Sequence, residues 1–194
     1  VAGVSYLETK APGIWIAEKD ATTARAPAVS PWGKPMTGER LDEGARGESP
    51  RRWLEVSVLG GWLIAYEGTK AVYTTLISPG RGGIPEKGID PLETASTPLG
   101  EWPISGKFIH AMMVTDETLL HSDVPWTQNF HGPHALHTAY WHNQWGEKKS
   151  GGCVNVAPID GKWLFGWTDP PLPEGWHGMR LERDAPSTRM VVHR

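Results

Sequence analysis

Apolar and polar residues alternate along much of the chain from Arg52 onward, and this pattern predicts a mainly β protein. Trp53–Leu59 alternates, Gly60 and Gly61 can form a tight turn, and Trp62–Tyr66 continues beyond it. This arrangement is typical of a β-hairpin. Other short segments of β-branched, aromatic or alternating residues predict further strands; these are Gly13–Ala17, Ala71–Ser78, Glu101–Ile104, Lys107–Val114 and Met190–Val192.

The segments between these strands predict one helix and two irregular regions. Pro158–Trp167 is the one good helix candidate and is long enough for about two turns. Pro79–Ser96 contains too many Gly and Pro residues for regular structure, and a long loop of this kind is often functional. Thr22–Pro50 is polar, charged and rich in Pro. We therefore predict a partly irregular N-terminal extension, residues 1–51, and a main domain, residues 52–194.

Composition supports a β protein and excludes several classes of partner. The 194 residues include 11 Trp, 23 Gly and 17 Pro, a profile expected for short strands joined by turns. A net charge of -3 offers no strong attraction for nucleic acid or an anionic membrane surface. No apolar stretch approaches the roughly 18 residues of a membrane helix. Because the chain starts at Val1 without a signal-like segment, we expect a mature or trimmed form.

The single cysteine, Cys153, is the first candidate for chemistry. Without a second cysteine it cannot form an intramolecular disulfide or a zinc site with several thiolates, so it is either inert packing or a reactive thiol. Gly151 and Gly152 precede it and free the backbone to turn sharply. Amide N–H groups near Gly152 and Cys153 could then converge on one oxygen, as an oxyanion hole requires.

His137 is the natural base for this thiol. An ordinary thiol has a pKa of about 8.5 and is mostly protonated at neutral pH, so thiol nucleophiles commonly depend on a nearby imidazole. The side chain of Thr138 or a backbone carbonyl could orient the other ring nitrogen of His137, which completes a nucleophile, a base and an orienting group.

Two motifs resemble the L,D-transpeptidase catalytic domain, also called the YkuD domain. In that family a histidine in a strand precedes a Ser-His-Gly-Cys-(Ile/Val)-(Arg/Asn) motif, which stands here as Ser150–Asn155. Upstream, Thr97–Trp102 resembles the family's Thr-Pro-x-Gly-x-(Phe/Tyr) segment. The hairpin before them resembles the family's opening strands, and the likeness extends from about Arg52 to Val192.

The resemblance implies a YkuD-type β-sandwich with one or two short helices, acting on the stem peptides of peptidoglycan. Cys153 would attack the carbonyl of the third stem residue and expel the terminal D-Ala, leaving a thioester. A side-chain amine of another stem would take the acyl group and form a 3-3 cross-link. Water would instead give L,D-carboxypeptidase activity, and a lipoprotein amine would give anchoring.

The same resemblance implies an extracytoplasmic location, in the periplasm or cell envelope, and no cofactor. The family's thiol is acylated by carbapenem β-lactams, so these are expected inhibitors. Trp141 and Asn155 match positions that line the family's cleft, and Tyr140 and Met113 are expected to bind substrate beside them.

Two other functions stay open on the residues alone. Gly151 stands where the family motif has histidine, so the chain could be a non-catalytic peptidoglycan-binding module that has lost turnover. A metal hydrolase in which Cys153 is incidental is the other alternative, because several histidines cluster in the sequence; they are His110, His131, His134, His137 and His142. Pro133 breaks any helix that would align them, and residues three apart alternate sides on a strand. We therefore do not expect a metal site.

Overall fold

The computed structural model describes residues 3–9, 11–36, 51–114 and 120–194. Within these ranges the chain forms two five-stranded sheets, a separate two-stranded ribbon, one α-helix and one short 3-10 helix at Glu18–Asp20. The elements are β1 (Tyr6–Glu8), β2 (Trp15–Ala17), β3 (Arg52–Ser57), β4 (Trp62–Glu67), β5 (Lys70–Leu76), β6 (Gly100–Pro103), β7 (Gly106–Val114), β8 (Leu120–His131), β9 (His134–Thr138), β10 (Val154–Val156), α1 (Pro158–Trp167), β11 (Gly178–Arg180) and β12 (Arg189–His193).

The first sheet has the strand order β5-β4-β3-β12-β6 and confirms the predicted hairpin. Its β3 strand ends at Ser57, two residues earlier than predicted, because Gly61 N–H donates to the Ser57 carbonyl at 3.0 Å and closes the turn. Gly61 adopts a φ of +65°, a backbone conformation that glycine reaches without strain. The predicted closing strand is β12, which pairs parallel with β3 and antiparallel with β6.

The second sheet has the strand order β10-β9-β8-β7-β11 and carries the candidate site. Strands β7 and β8 form a long antiparallel hairpin, and β9 turns back along β8. Strand β10 then runs parallel to β9. A parallel neighbour requires a crossover connection, so the chain between β9 and β10 has to leave the sheet and return.

The main core lies between the two sheets, as expected for a β-sandwich. Leu54 and Leu63 of the first sheet and Leu136 and Val154 of the second belong to one buried apolar cluster, which Leu164 of α1 joins. The helix follows the predicted bounds and packs on β8 and β9. Burial of these apolar side chains, at about 25 cal/mol per Å², is the main force holding the layers together.

The described part of the N-terminal segment contains a two-stranded ribbon and a short 3-10 helix. The expected strand at Gly13–Ala17 is reduced to Trp15–Ala17, which pairs with Tyr6–Glu8 in the two-stranded ribbon. Trp32 and Met36 pack against a second buried cluster in the first sheet that includes Trp53 and Tyr66. Residues 37–50 of the polar stretch lie outside the described residues. Among the residues described, no helix is long and apolar enough to span a membrane.

Candidate active site

Cys153 lies at the end of a hydrogen-bonded loop that leads into β10. In this loop, residues 150–153, the Ser150 hydroxyl donates to the Cys153 carbonyl at 2.5 Å, and the Gly152 N–H donates to the Ser150 oxygen at 3.0 Å. The Arg81 N–H donates to the Ser150 carbonyl at 2.9 Å and ties the loop to the long segment 79–96. Ser150 therefore fixes this loop, which we call the nucleophile loop after the role predicted for Cys153; its place in the motif alone does not reveal this contact.

Gly152 is required by close packing as well as by its backbone angles. Its φ is +127°, and a Cβ at this position would lie 2.8 Å from His134 Nε2 and 2.9 Å from the Ser96 carbonyl oxygen. Both distances are shorter than real Cβ contacts, so only glycine fits without displacement. The Gly152 N–H is bonded to the Ser150 hydroxyl oxygen, so in this structure it does not point to a substrate oxygen. The predicted part of Gly152 in an oxyanion hole stays a prediction.

The Cys153 thiol receives one hydrogen bond and is partly buried. The Ala135 N–H of β9 donates to Cys153 Sγ at 3.4 Å. Burial raises the pKa of the thiol to about 11, and the bond from Ala135 opposes this only in part. Since desolvation penalises the charged form, Cys153 rests as a neutral thiol at neutral pH.

The His137 ring is oriented by a hydrogen bond at its Nδ1 atom. Its Nδ1 lies 2.9 Å from the Thr138 carbonyl oxygen. A carbonyl can only accept, so Nδ1 carries the hydrogen in the neutral ring and Nε2 is left with a free lone pair. Thr138 therefore orients the ring through its carbonyl, while its hydroxyl donates to the Pro125 carbonyl at 2.9 Å. Burial lowers the pKa of His137 to about 4, so this imidazole is neutral at rest.

Strand register brings the two groups to the same region. Asn155 lies beside His137, and Val154 lies beside Leu136, in the parallel pairing of β10 with β9. Cys153 precedes Val154, so it lies two positions before His137 along this pair of strands. Both line one cavity of about 720 Å³.

The cavity wall contains three of the four residues predicted to bind substrate. Met113, Trp141 and Asn155 line it, whereas Tyr140 does not. The Tyr140 hydroxyl donates to the Ser122 carbonyl at 2.9 Å, and its ring meets Trp141 edge-on at 4.9 Å. Tyr140 is thus placed to support Trp141 from outside the cavity.

Asn155 presents a buried acceptor without a partner at the cavity. Asn155 is 2% exposed, and its Nδ2 lies 3.3 Å from His142 Nε2, while its Oδ1 has no hydrogen bond within the described part of the chain. His134 also lines the cavity and is 3% exposed. Because buried polar atoms are usually hydrogen-bonded, Asn155 Oδ1 can accept a hydrogen bond from a ligand in the cavity.

Three cationic side chains also line the cavity. Arg81 and Lys149 lie on the side of the nucleophile loop, and Arg180 comes from β11. No Asp or Glu is among the lining residues in the part of the chain that the structure describes. In a protein of net charge -3, this concentration of positive charge favours an anionic ligand.

The histidines do not assemble into a metal centre in the described ranges. No group of three His, Cys, Asp or Glu side chains there could hold an ion. The His131 and His134 rings are 5.9 Å apart, and the Nδ1 atoms of His134 and His137 bond to backbone carbonyls. The arrangement therefore gives no support to the metal-hydrolase alternative.

The fold and site together describe a β-sandwich with a cysteine and a histidine in one cationic cleft. The family model of the L,D-transpeptidase catalytic domain, YkuD, matches residues 51–191, and the chain belongs to this family. The resemblance seen in the motifs is thereby confirmed.

Solved structures of this family share the fold at low sequence identity. The Enterococcus faecium L,D-transpeptidase C442S mutant is 21% identical with a TM-score of 0.53, over 75% of this chain and 50% of that one. LD transpeptidase LdtMt1 in complex with imipenem is 16% identical with a TM-score of 0.54, over 74% and 59%. The catalytic domain of the E. faecium enzyme is 21% identical with a TM-score of 0.51, over 76% and 100%. The chain thus spans about half the length of the first of these relatives. No curated protein matches the sequence.

Proposed function

We propose that this chain is a cysteine-dependent L,D-transpeptidase that acts on peptidoglycan stem peptides through a thioester on Cys153. The observation that carries the proposal is the shared cavity of Cys153 and His137, in which the Thr138 carbonyl leaves His137 Nε2 unprotonated. A nucleophile, a base and an orienting group in one cleft are the parts that acyl transfer requires.

The reaction follows from these groups in two steps. His137 Nε2 takes the thiol proton as Cys153 Sγ attacks the carbonyl carbon of the third stem residue. The resulting imidazolium then protonates the nitrogen of the departing D-Ala, so the C–N bond breaks and a thioester remains. An acceptor amine next attacks the thioester while His137 takes its proton, and the C–S bond breaks as that proton returns to sulfur.

Burial affects this mechanism because it disfavours both the thiolate of Cys153 and the imidazolium of His137. The pKa of the thiol is raised to about 11 and that of the imidazole is lowered to about 4. A resting thiolate–imidazolium pair is therefore disfavoured, and the proton moves as the carbonyl is attacked. The Nδ1–H bond to Thr138 stabilises the imidazolium as it forms.

The cavity suits an anionic peptide. Stem peptides carry free carboxylates, which Arg81, Lys149 and Arg180 can attract. The unpartnered Asn155 Oδ1 can accept an N–H from the peptide, and Met113 and Trp141 supply an apolar wall. LdtMt1 is solved in complex with imipenem, and by family analogy we propose that carbapenems acylate Cys153.

Intact-mass spectrometry with imipenem tests the nucleophile. The wild-type protein should gain the mass of one carbapenem, and Cys153→Ala should gain none. His110→Phe, a change outside the cavity lining, serves as the matched control and should acylate like the wild type. Absence of an adduct on the wild-type protein would refute the proposal.

Incubation with purified muropeptides tests the reaction itself. Dimers linked between third residues would identify cross-linking, tripeptides would identify L,D-carboxypeptidase activity, and transfer to a lipoprotein amine would identify anchoring. Binding without turnover, equal in the wild type and Cys153→Ala, would indicate the non-catalytic module instead. An extracytoplasmic location belongs to the same proposal, because mature peptidoglycan lies outside the cytoplasmic membrane; fractionation of cells that produce the full-length protein would test it.

A further inference from the structure

The His134 side chain is buried against the nucleophile loop and has no part in the mechanism above. Its Nδ1 lies 3.1 Å from the His131 carbonyl oxygen across the Gly132-Pro133 turn. The Ser96 backbone also lies within hydrogen-bonding reach of this ring, so the imidazole is held between the carbonyls of two loops. Burial lowers the pKa of His134, so the neutral ring is the resting form near neutral pH.

The free edge of this ring faces Gly152, the residue before the nucleophile. A Cβ on Gly152 would lie 2.8 Å from His134 Nε2 and 3.0 Å from its Cδ2, with the Ser96 carbonyl oxygen at 2.9 Å. His134 and Ser96 thus form a wall that sets the position of Gly152. Because real Cβ atoms do not approach so closely, any shift of this ring changes the space open to the loop.

The next residue in β9 holds the thiol itself. The Ala135 N–H donates to Cys153 Sγ at 3.4 Å, so consecutive residues of β9 contact consecutive residues of the loop. The His134 side chain contacts Gly152, and the Ala135 backbone contacts Cys153. These two contacts fix the distance of the loop from β9 and the direction of the sulfur.

The polar edges of the ring indicate that it is placed for more than packing. They face the backbone of His131 and of Ser96, contacts that an apolar ring of similar size could not make. His134 also lines the same cavity as Cys153. The ring thus joins the turn before β9 and the 79–96 segment at the point where the loop passes.

We propose that His134 is a positioning residue for Cys153, which holds the nucleophile loop through the contact of its Nε2 edge with Gly152. The inference rests on the proposed function, since it assigns His134 a part in the acylation of Cys153. It predicts that changes at this position affect attack on a bound carbonyl more than the intrinsic reactivity of the thiol.

Three substitutions separate the parts of the ring. His134→Phe keeps an aromatic ring and removes both nitrogens. His134→Asn keeps a donor near the Nδ1 position but removes the edge that faces Gly152, and His134→Gln places an amide near the Nε2 position. His110→Phe, outside the cavity, is the matched control. Melting temperature and circular dichroism establish that each variant is folded before rates are compared.

Two rates are measured for each protein: acylation by imipenem, and alkylation of the thiol by iodoacetamide, each between pH 6 and 10. We expect His134→Phe and His134→Asn to lower the acylation rate by about tenfold or more, because small misplacements of reacting atoms carry costs of that order. Alkylation should stay within about twofold, and His134→Gln should recover most of the acylation rate.

Acylation at the wild-type rate in folded His134→Phe and His134→Asn would overturn the inference, since the ring would then be a filler. An equal loss of acylation and alkylation would overturn it as well, because His134 would then act on thiol ionisation or access. If the wild-type thiol is alkylated but never acylated, the proposed function fails and this inference with it. Normal wild-type acylation with unchanged variants refutes the inference alone.

Discussion

The reactivity of Cys153 should keep rising with pH well above the pH at which an ordinary thiol is fully ionised and its rate becomes constant. Burial raises the pKa of this thiol to about 11. At pH 7 the thiolate fraction is then about 10⁻⁴, some hundreds of times below that of an ordinary cysteine with a pKa of about 8.5, since each pKa unit is a factor of ten. The observed alkylation rate of the intact protein should therefore rise about tenfold per pH unit until about pH 10.

Intact-mass measurement of iodoacetamide labelling from pH 6 to 11 provides the assay, with glutathione as the reference thiol. His137→Ala sharpens it, because a neutral imidazole with a pKa of about 4 cannot stabilise a resting thiolate. The variant should keep the wild-type pH profile of alkylation while losing acylation by imipenem. A plateau of the wild-type rate below pH 8 that disappears in His137→Ala would reveal a resting ion pair and refute this reasoning.

Three further predictions test the loop, the core and the cleft. Gly152→Ala should lower the free energy of unfolding, measured by urea titration, by about 2 kcal/mol and should slow acylation. Gly166→Ala is the control and should not destabilise the protein, because a Cβ at that position meets open space. Burial lowers the pKa of Lys107 to about 8, so the unfolded chain binds more protons above that pH and stability should rise between pH 8 and about 9. Above that pH the raised pKa of Cys153 opposes the gain, because the folded chain keeps a thiol proton that the unfolded chain loses. Lys107→Met should lack the rise below pH 9 in pH-dependent urea titrations. Arg180→Gln should reduce kcat/KM for an anionic stem peptide about three- to tenfold at low salt and less at high salt, with Arg189→Gln, outside the cavity, as control.

Local sequence patterns predict the elements whose hydrogen bonds join residues close together in the sequence. The β3–β4 hairpin and α1 follow from alternation, turn residues and a compact apolar run, and the structure confirms both. The sequence pattern does not predict strand β8, because Pro125 interrupts it. In the structure Asp123 and Trp126, close to this proline, adopt positive φ angles. Strands β10 and β11 are three residues long, which is too short for an alternating pattern to be recognised.

The site was predictable only as far as its motif extends. Cys153 and His137 could be chosen from residue chemistry and family resemblance, but their proximity depends on the parallel register of β9 and β10. Arg81 and Arg180 reach the cavity from distant segments, and no local signal connects them. The sequence indicates His134 only as a possible metal ligand, because its contact with Gly152 depends on the tight turn after β8.

Burial affects the two central residues of this site in the same way. It disfavours the charged form of each, so sulfur and imidazole rest neutral. Under the proposed function, the rate of acylation then depends on orientation, which comes from the Thr138 carbonyl on His137, the Ala135 N–H on the sulfur and the Ser150 hydroxyl in the loop. Changes that loosen these contacts without touching Cys153 or His137 should therefore impair acylation while they leave the chemistry of the thiol intact.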